Sequence, residues 1–153
     1  MHRVASLAIA LAVLAAVSRP AGAQVLMTQE EALRLAFPEP AAVERRTAYL
    51  DDEQIAEVKR LAEPASGRDR AVVTYYVGWL GDRPLGAAYF DAHRVRTLQE
   101  VLMIVVAPGG RVSRIEILGF AEPPDYMAPA GWLELFSGRE LEPGTSTRGD
   151  IPI

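Results

Sequence analysis

Residues 98–107 read Leu-Gln-Glu-Val-Leu-Met-Ile-Val-Val-Ala, and this nearly all-apolar run constrains the fold more than any other feature of the chain. Such a run is the pattern of a central strand covered on both faces. Ala107-Pro108-Gly109-Gly110 follows as a tight turn, with proline pre-set at the second position and glycine at the third. Arg111 to Gly119 then runs back, with Ile115 and Ile117 on one face and Arg114 and Glu116 on the other. Upstream, from Ala71, the period is already two. Val73, Tyr75, Val77 and Trp79 alternate with Val72, Thr74, Tyr76 and Gly78, in β-branched and aromatic composition. Gly81-Asp82-Arg83-Pro84 makes a turn, and Leu85 to Val95 returns. Connections this short predict four antiparallel strands in meander order.

Before Ala71 the period is helical. Thr28-Gln29-Glu30-Glu31 has capping-box form, with Ala32, Leu33, Leu35 and Ala36 behind it and Pro38 and Pro40 as stops. A second helix starts at Asp51 and presents Ile55, Val58, Leu61 and Ala62 on one face. Asp51-Asp52-Glu53 reads as acids at a helix N-terminus rather than as paired catalytic carboxylates. Residues 64–70 form a polar linker. Behind the strands, residues 121–129 make a proline-rich loop. A short helix, Ala130 to Ser137, then stacks Trp132 on Phe136 at i, i+4, with Gly138 as its stop. The expected fold class is α+β: N-terminal helices over 24–70, then an antiparallel β-meander sheet and a short helix over 71–153.

The first 23 residues have a different character. Met1-His2-Arg3 is positive, Val4 to Val17 is small and apolar, and Ala21-Gly22-Ala23 is a small-x-small cleavage pattern. The apolar run is shorter than the roughly 20 residues a spanning helix needs. Residues 1–23 therefore read as a cleavable signal peptide, and the protein as exported, periplasmic or otherwise extracytoplasmic. The formal charge of the whole chain is −4, and the leader carries two of the 16 basic residues and none of the 20 acidic ones. The exported part is thus more acidic still, which argues against a nucleic-acid surface. There is no cysteine, so disulfides, thiolate metal sites and cysteine nucleophiles are excluded. His93 is the single histidine beyond the leader and no Gly-x-Ser-x-Gly turn accompanies it, which leaves a serine triad and a histidine-rich metal site without residues.

Residues 97–138 carry a resemblance. The order is an apolar strand (Glu-Val-Leu-Met-Ile-Val-Val-Ala), a Pro-Gly-Gly turn, a strand (Arg-Val-Ser-Arg-Ile-Glu-Ile-Leu), a Glu122-Pro123 loop and a helix with Trp132, Phe136 and Gly138. This resembles the FMN-binding domain family, which includes the covalent-FMN subunits of sodium-pumping quinone reductases and many small exported flavoproteins. The helical preface is similar to the segment that precedes the domain in exported members. The resemblance implies FMN as cofactor, attached by a separate flavin transferase to a threonine in a Ser/Thr-Gly-Ala-Thr motif. It also implies electron transfer between redox partners of a membrane electron-transport chain, the protein supplying orientation and the cofactor the redox chemistry. A covalent tether suits a compartment where a loosely held flavin diffuses away.

The motif itself is missing: the family places it just after the element that Gly149-Asp150-Ile151-Pro152-Ile153 resembles, and Thr145 and Thr147 lack a Gly-Ala-Thr context. Either the chain is a fragment truncated before the flavinylation motif or it is a divergent member without one. In relatives a Glu-Thr-Pro-Gly loop lies against the isoalloxazine; here it is Glu-Pro-Pro-Asp-Tyr. By that resemblance Pro123, Tyr126 and Trp132 wall the ring and Glu122 fixes the loop. The competing reading makes the prolines turn-stiffeners and Trp132 a core residue. His93-Arg94-Val95-Arg96 stands where the family has a glycine-rich hairpin, as either a phosphate attractor or a solvated turn. The functional expectation is an extracytoplasmic FMN-binding electron-transfer protein; the alternative is a non-catalytic exported module of the same fold that binds no flavin.

Overall fold

The computed structural model describes residues 24–61 and 70–140. The expected leader and Thr145, Thr147 and the 149–153 stub lie outside the described residues. In chain order the elements are β1 (Gln24–Val25), α1 (Gln29–Ala36), β2 (Ala42–Tyr49), α2 (Asp52–Leu61), β3 (Val72–Leu80), β4 (Arg83–Arg94), β5 (Gln99–Val106), β6 (Val112–Phe120) and α3 (Ala130–Leu133). The strands form one antiparallel sheet in the order β1-β6-β5-β4-β3-β2.

This corrects the expected fold class. The meander β3–β4–β5–β6 is present, but it is the middle of a six-stranded sheet, and the helices do not precede it as a block. β2 lies between α1 and α2 and zips along β3 from Ala42 opposite Trp79 to Tyr49 opposite Val72, while β1 pairs with β6 at the far edge. The physical reason is that β2 buries nothing: Ala-Val-Glu-Arg-Arg-Thr-Ala-Tyr shows no apolar alternation, because as an edge strand it is fixed by its backbone ladder and polar surface contacts rather than by apolar burial.

The local signals before the sheet act as their chemistry dictates. The Thr28 hydroxyl accepts from the Glu31 N–H at 3.2 Å, and the Glu31 carboxylate accepts from the Thr28 N–H at 2.8 Å. Asp51 and Gln54 make the same reciprocal pair at the start of α2, at 2.8 and 3.0 Å. Past α1, Phe37 folds onto the sheet and occupies the space where β3 has no side chain: a Cβ on Gly78 would stand 2.2 Å from the Phe37 ring. Phe37 and Ala32 from the α1 segment meet Ala88, Met103, Val105 and Leu118 of β4, β5 and β6, and this is the core. Met103, at its centre, is fully buried.

By the period of two, the other face of the sheet carries Tyr75, Tyr89, Leu102, Ile104 and Ile117, all partly buried, with the Tyr75 and Tyr89 rings stacked at 5.6 Å. The run 98–107 is therefore sealed on one face by α1 and only partly buried on the other, rather than covered equally on both. Among the described residues no helix is long and apolar enough to cross a membrane.

Candidate functional site

β4 ends and β5 begins at the same end of the sheet where β6 stops, so the hairpin between β4 and β5 and the segment leaving β6 are neighbours. The hairpin is closed by Val95 N–H donating to the Leu98 carbonyl at 3.2 Å. The ladder continues one residue past β6, with Ala121 N–H donating to the Gln99 carbonyl at 3.0 Å. The next residue is Glu122, and that register sets its carboxylate against the hairpin tip.

One oxygen of Glu122, Oε1, accepts from the Thr97 N–H at 2.6 Å, the Leu98 N–H at 2.8 Å and the Thr97 hydroxyl at 3.0 Å. Glu122 is 9% exposed. The two backbone donors, helped by the Thr97 hydroxyl and the nearby Arg96 charge, hold its carboxyl below the usual carboxylate range. A charged acceptor that satisfies three donors ties two loops, 25 residues apart in sequence, into one unit. The residues Glu122 grips, Thr97 and Leu98, are ones the sequence did not pair with it.

Pro123 and Pro124 then force a tight 3-10 turn, Pro124–Tyr126, closed by Tyr126 N–H donating to the Pro123 carbonyl at 3.0 Å. The turn brings the Tyr126 ring beneath the Arg96 guanidinium, 4.4 Å from its centroid. Tyr126 remains 48% exposed. Glu122 and Tyr126 therefore both stand beside Arg96, with Pro123 in the turn that links them. Arg96 thus has an aromatic partner, which neither reading of the 93–96 bases anticipated.

Trp132 belongs to a different stretch. It lies on α3 with its ring edge-on to Phe136 at 5.1 Å, as the i, i+4 spacing predicts. From there the chain runs beside β6 toward the opposite end of the sheet, where Gly138 N–H donates to the Val112 carbonyl at 2.7 Å and Arg111 pairs with Glu140. Gly138 has φ of +77°, which fits its role as the stop. A cavity of about 280 Å³ lies between this stretch and β6, lined by Ser113, Ile115, Leu133 and Ser137 among others, and Trp132 is not part of its wall.

The sequence also missed the fate of His93. Alternation along β4 turns His93 away from Arg94 and beside two acids, Asp91 on its own strand and Glu100 opposite on β5. What decides this is the register of the hairpin, which a linear reading does not supply. Asp91 and Glu100 approach opposite ring nitrogens, so they do not converge on one point. Among the described residues no group of three His, Asp or Glu side chains is placed to hold a metal ion. No family model, no curated protein and no solved structure matches this chain.

Proposed function

We propose that this chain is an exported FMN-binding module that passes electrons between redox partners of a membrane electron-transport chain. Sequence and geometry support different parts of this reading. The leader-like residues 1–23 support export. The order of strand, Pro-Gly-Gly turn, strand, Glu-Pro loop and Trp…Phe…Gly helix supports the flavin family; these residues hold no Ser/Thr-Gly-Ala-Thr acceptor for a flavin transferase, so the binding proposed for them is non-covalent.

The observation that carries the reading is the Arg96–Tyr126 stack on a loop pair locked by Glu122. A half-exposed aromatic ring on a proline-stiffened turn is a surface on which a planar ring stacks with little ordering cost. The residues fit the group: Tyr126 and Pro123 offer the flat apolar contact, and Arg96 offers positive charge for a phosphate or for a ring that gains electrons. Bound there, FMN would supply one- or two-electron transfer; the protein's part is to hold, orient and neutralise. Glu122 acts at one remove, by keeping Arg96 and Tyr126 in register.

Titration of the purified chain with FMN, followed by quenching of flavin fluorescence, tests the reading. Saturable quenching is expected. Tyr126→Ala removes a stacking contact of about 0.5–1.5 kcal/mol and weakens binding by up to roughly tenfold, with the far-ultraviolet spectrum unchanged. Flavin fluorescence that stays unquenched over a folded chain at millimolar FMN overturns it, and the non-catalytic exported module then takes its place.

A further inference from the structure

The hairpin that holds Arg96 is fixed at its tip by Glu122 and at its base by His93. His93 and Glu100 face each other across β4 and β5, immediately before and after the hairpin, with Nε2 3.0 Å from the Glu100 carboxylate. On the other side of the ring, Nδ1 lies 3.3 Å from Asp91, whose second oxygen is 3.9 Å from the Arg70 guanidinium. Glu100 is only 7% exposed.

These two contacts have a chemical consequence. A neutral imidazole has one N–H and one lone pair, and an ionised carboxylate has only lone pairs. With a neutral ring and two ionised acids, one of the two contacts sets lone pair against lone pair. Both become attractive only when the three groups hold one more proton, either on the second ring nitrogen or on one carboxyl.

We propose that Asp91, His93 and Glu100 form a proton-binding latch that closes the base of the hairpin while it holds one shared proton and releases the hairpin as that proton leaves with rising pH. The surroundings favour retention. Burial of Glu100 disfavours its charged form, although the neighbouring imidazole opposes this. Of the other described groups facing the cluster, Arg70 meets Asp91 from the segment just before β3, and Tyr89 precedes Asp91 on the same face with its hydroxyl pushed up by burial, so it stays neutral. Phe120 lies opposite Glu100 on β6 and brings no charge, and Arg94 points to the other face of β4. The proposal does not depend on flavin binding.

Linkage sets the size of the effect. If closure binds one proton, the closed-to-open ratio falls about tenfold per pH unit through the window in which that proton is lost. Two measurements on the purified chain decide the matter. In the first, nitrogen and carbon NMR at pH 7, with the His93 signals identified by their loss in His93→Gln, is expected to show either two protonated ring nitrogens or a protonated Asp91 or Glu100 carboxyl. In the second, hydrogen exchange of the Thr97 and Leu98 amides, corrected for intrinsic base catalysis, is expected to lose protection as pH rises. Glu100→Gln, whose amide donates to the ring without an extra proton, should abolish that dependence; if this variant does not fold, Asp91→Asn serves. A single ring N–H with both carboxyls ionised at pH 7, or protection that is flat with pH in the unmodified chain, overturns the proposal.

Discussion

The centre of the sheet and its β2–α2 flank are built on equally continuous ladders, yet they are held by different forces. Between β4 and β5 the pairs run from Ala87 opposite Val106 to Arg94 opposite Gln99, and between β2 and β3 from Ala42 opposite Trp79 to Tyr49 opposite Val72. The central pair encloses Ala88, Met103 and Val105 beneath α1. The flank encloses nothing of its own: β2 and α2 contain no buried residue, and Tyr49 at the end of β2 is 79% exposed. Side chains on β2 meet partners at the surface: Arg46 pairs with Glu44 at 2.9 Å while lying 5.4 Å over the Trp79 ring of β3. Backbone pairing thus defines where strands are, and apolar burial decides which of them carry the stability.

The largest expected effect comes from the centre. Met103 is fully enclosed, so Met103→Ala leaves a cavity its neighbours fill only in part, at a cost of about 2–5 kcal/mol. Denaturant melts of this variant beside Tyr49→Ala test the contrast directly. A Met103→Ala chain no less stable than the Tyr49→Ala chain would mean that the core is not where the structure puts it.

A middle-sized effect tests the join between α1 and the sheet. A Cβ at Gly78 stands 2.2 Å from the Phe37 ring, too close to absorb without expelling the ring. Gly78→Ala is expected to cost about 1–3 kcal/mol, the usual penalty of overpacking. In a Phe37→Ala background the same substitution should cost much less, because the ring it collides with is gone. Equal costs in the two backgrounds would show that Phe37 does not occupy the Gly78 position.

The same contrast explains what the sequence disclosed. The β3–β6 meander was legible because burial on at least one face writes a period of two into Val73 to Trp79 and Arg111 to Gly119. The Thr28–Glu31 box and the Trp132–Phe136 pair were legible because both are local, three or four residues apart. β2 was not, since an edge strand without a buried face leaves no periodic trace. At the site, the resemblance pointed to Glu122, but its partners Thr97 and Leu98, and the meeting of His93 with Glu100, arise from strand register. Register depends on hairpin length and bulges that the linear pattern does not encode. The resemblance grouped Trp132 with Tyr126, whereas the turn after Pro123 gives Tyr126 to Arg96 and α3 gives Trp132 to Phe136.

The smallest expected effect lies on α2, where the usual ranking of substitutions should invert. Its periodic face of Ile55, Val58 and Leu61 resembles a core-facing stripe, and in most helices truncating such a stripe is the costly change. Here Val58 is 47% exposed and the helix buries no residue at all. Val58→Ser therefore removes little packing, and valine and serine have similar helix propensities, so the change should stay within about 0.5 kcal/mol. Asp51→Ala is different. The Asp51 carboxylate accepts from the Gln54 N–H at 2.8 Å, and loss of such a cap costs about 0.5–2 kcal/mol of helix stability. Because α2 shares no core with the sheet, that cost should appear locally, as faster amide exchange within α2, while the global melting temperature barely moves. Amide exchange and thermal melts on both variants check this together. A Val58→Ser chain that melts well below the Asp51→Ala chain would show that the stripe is buried after all, and that the flank is as much a part of the core as β4 and β5.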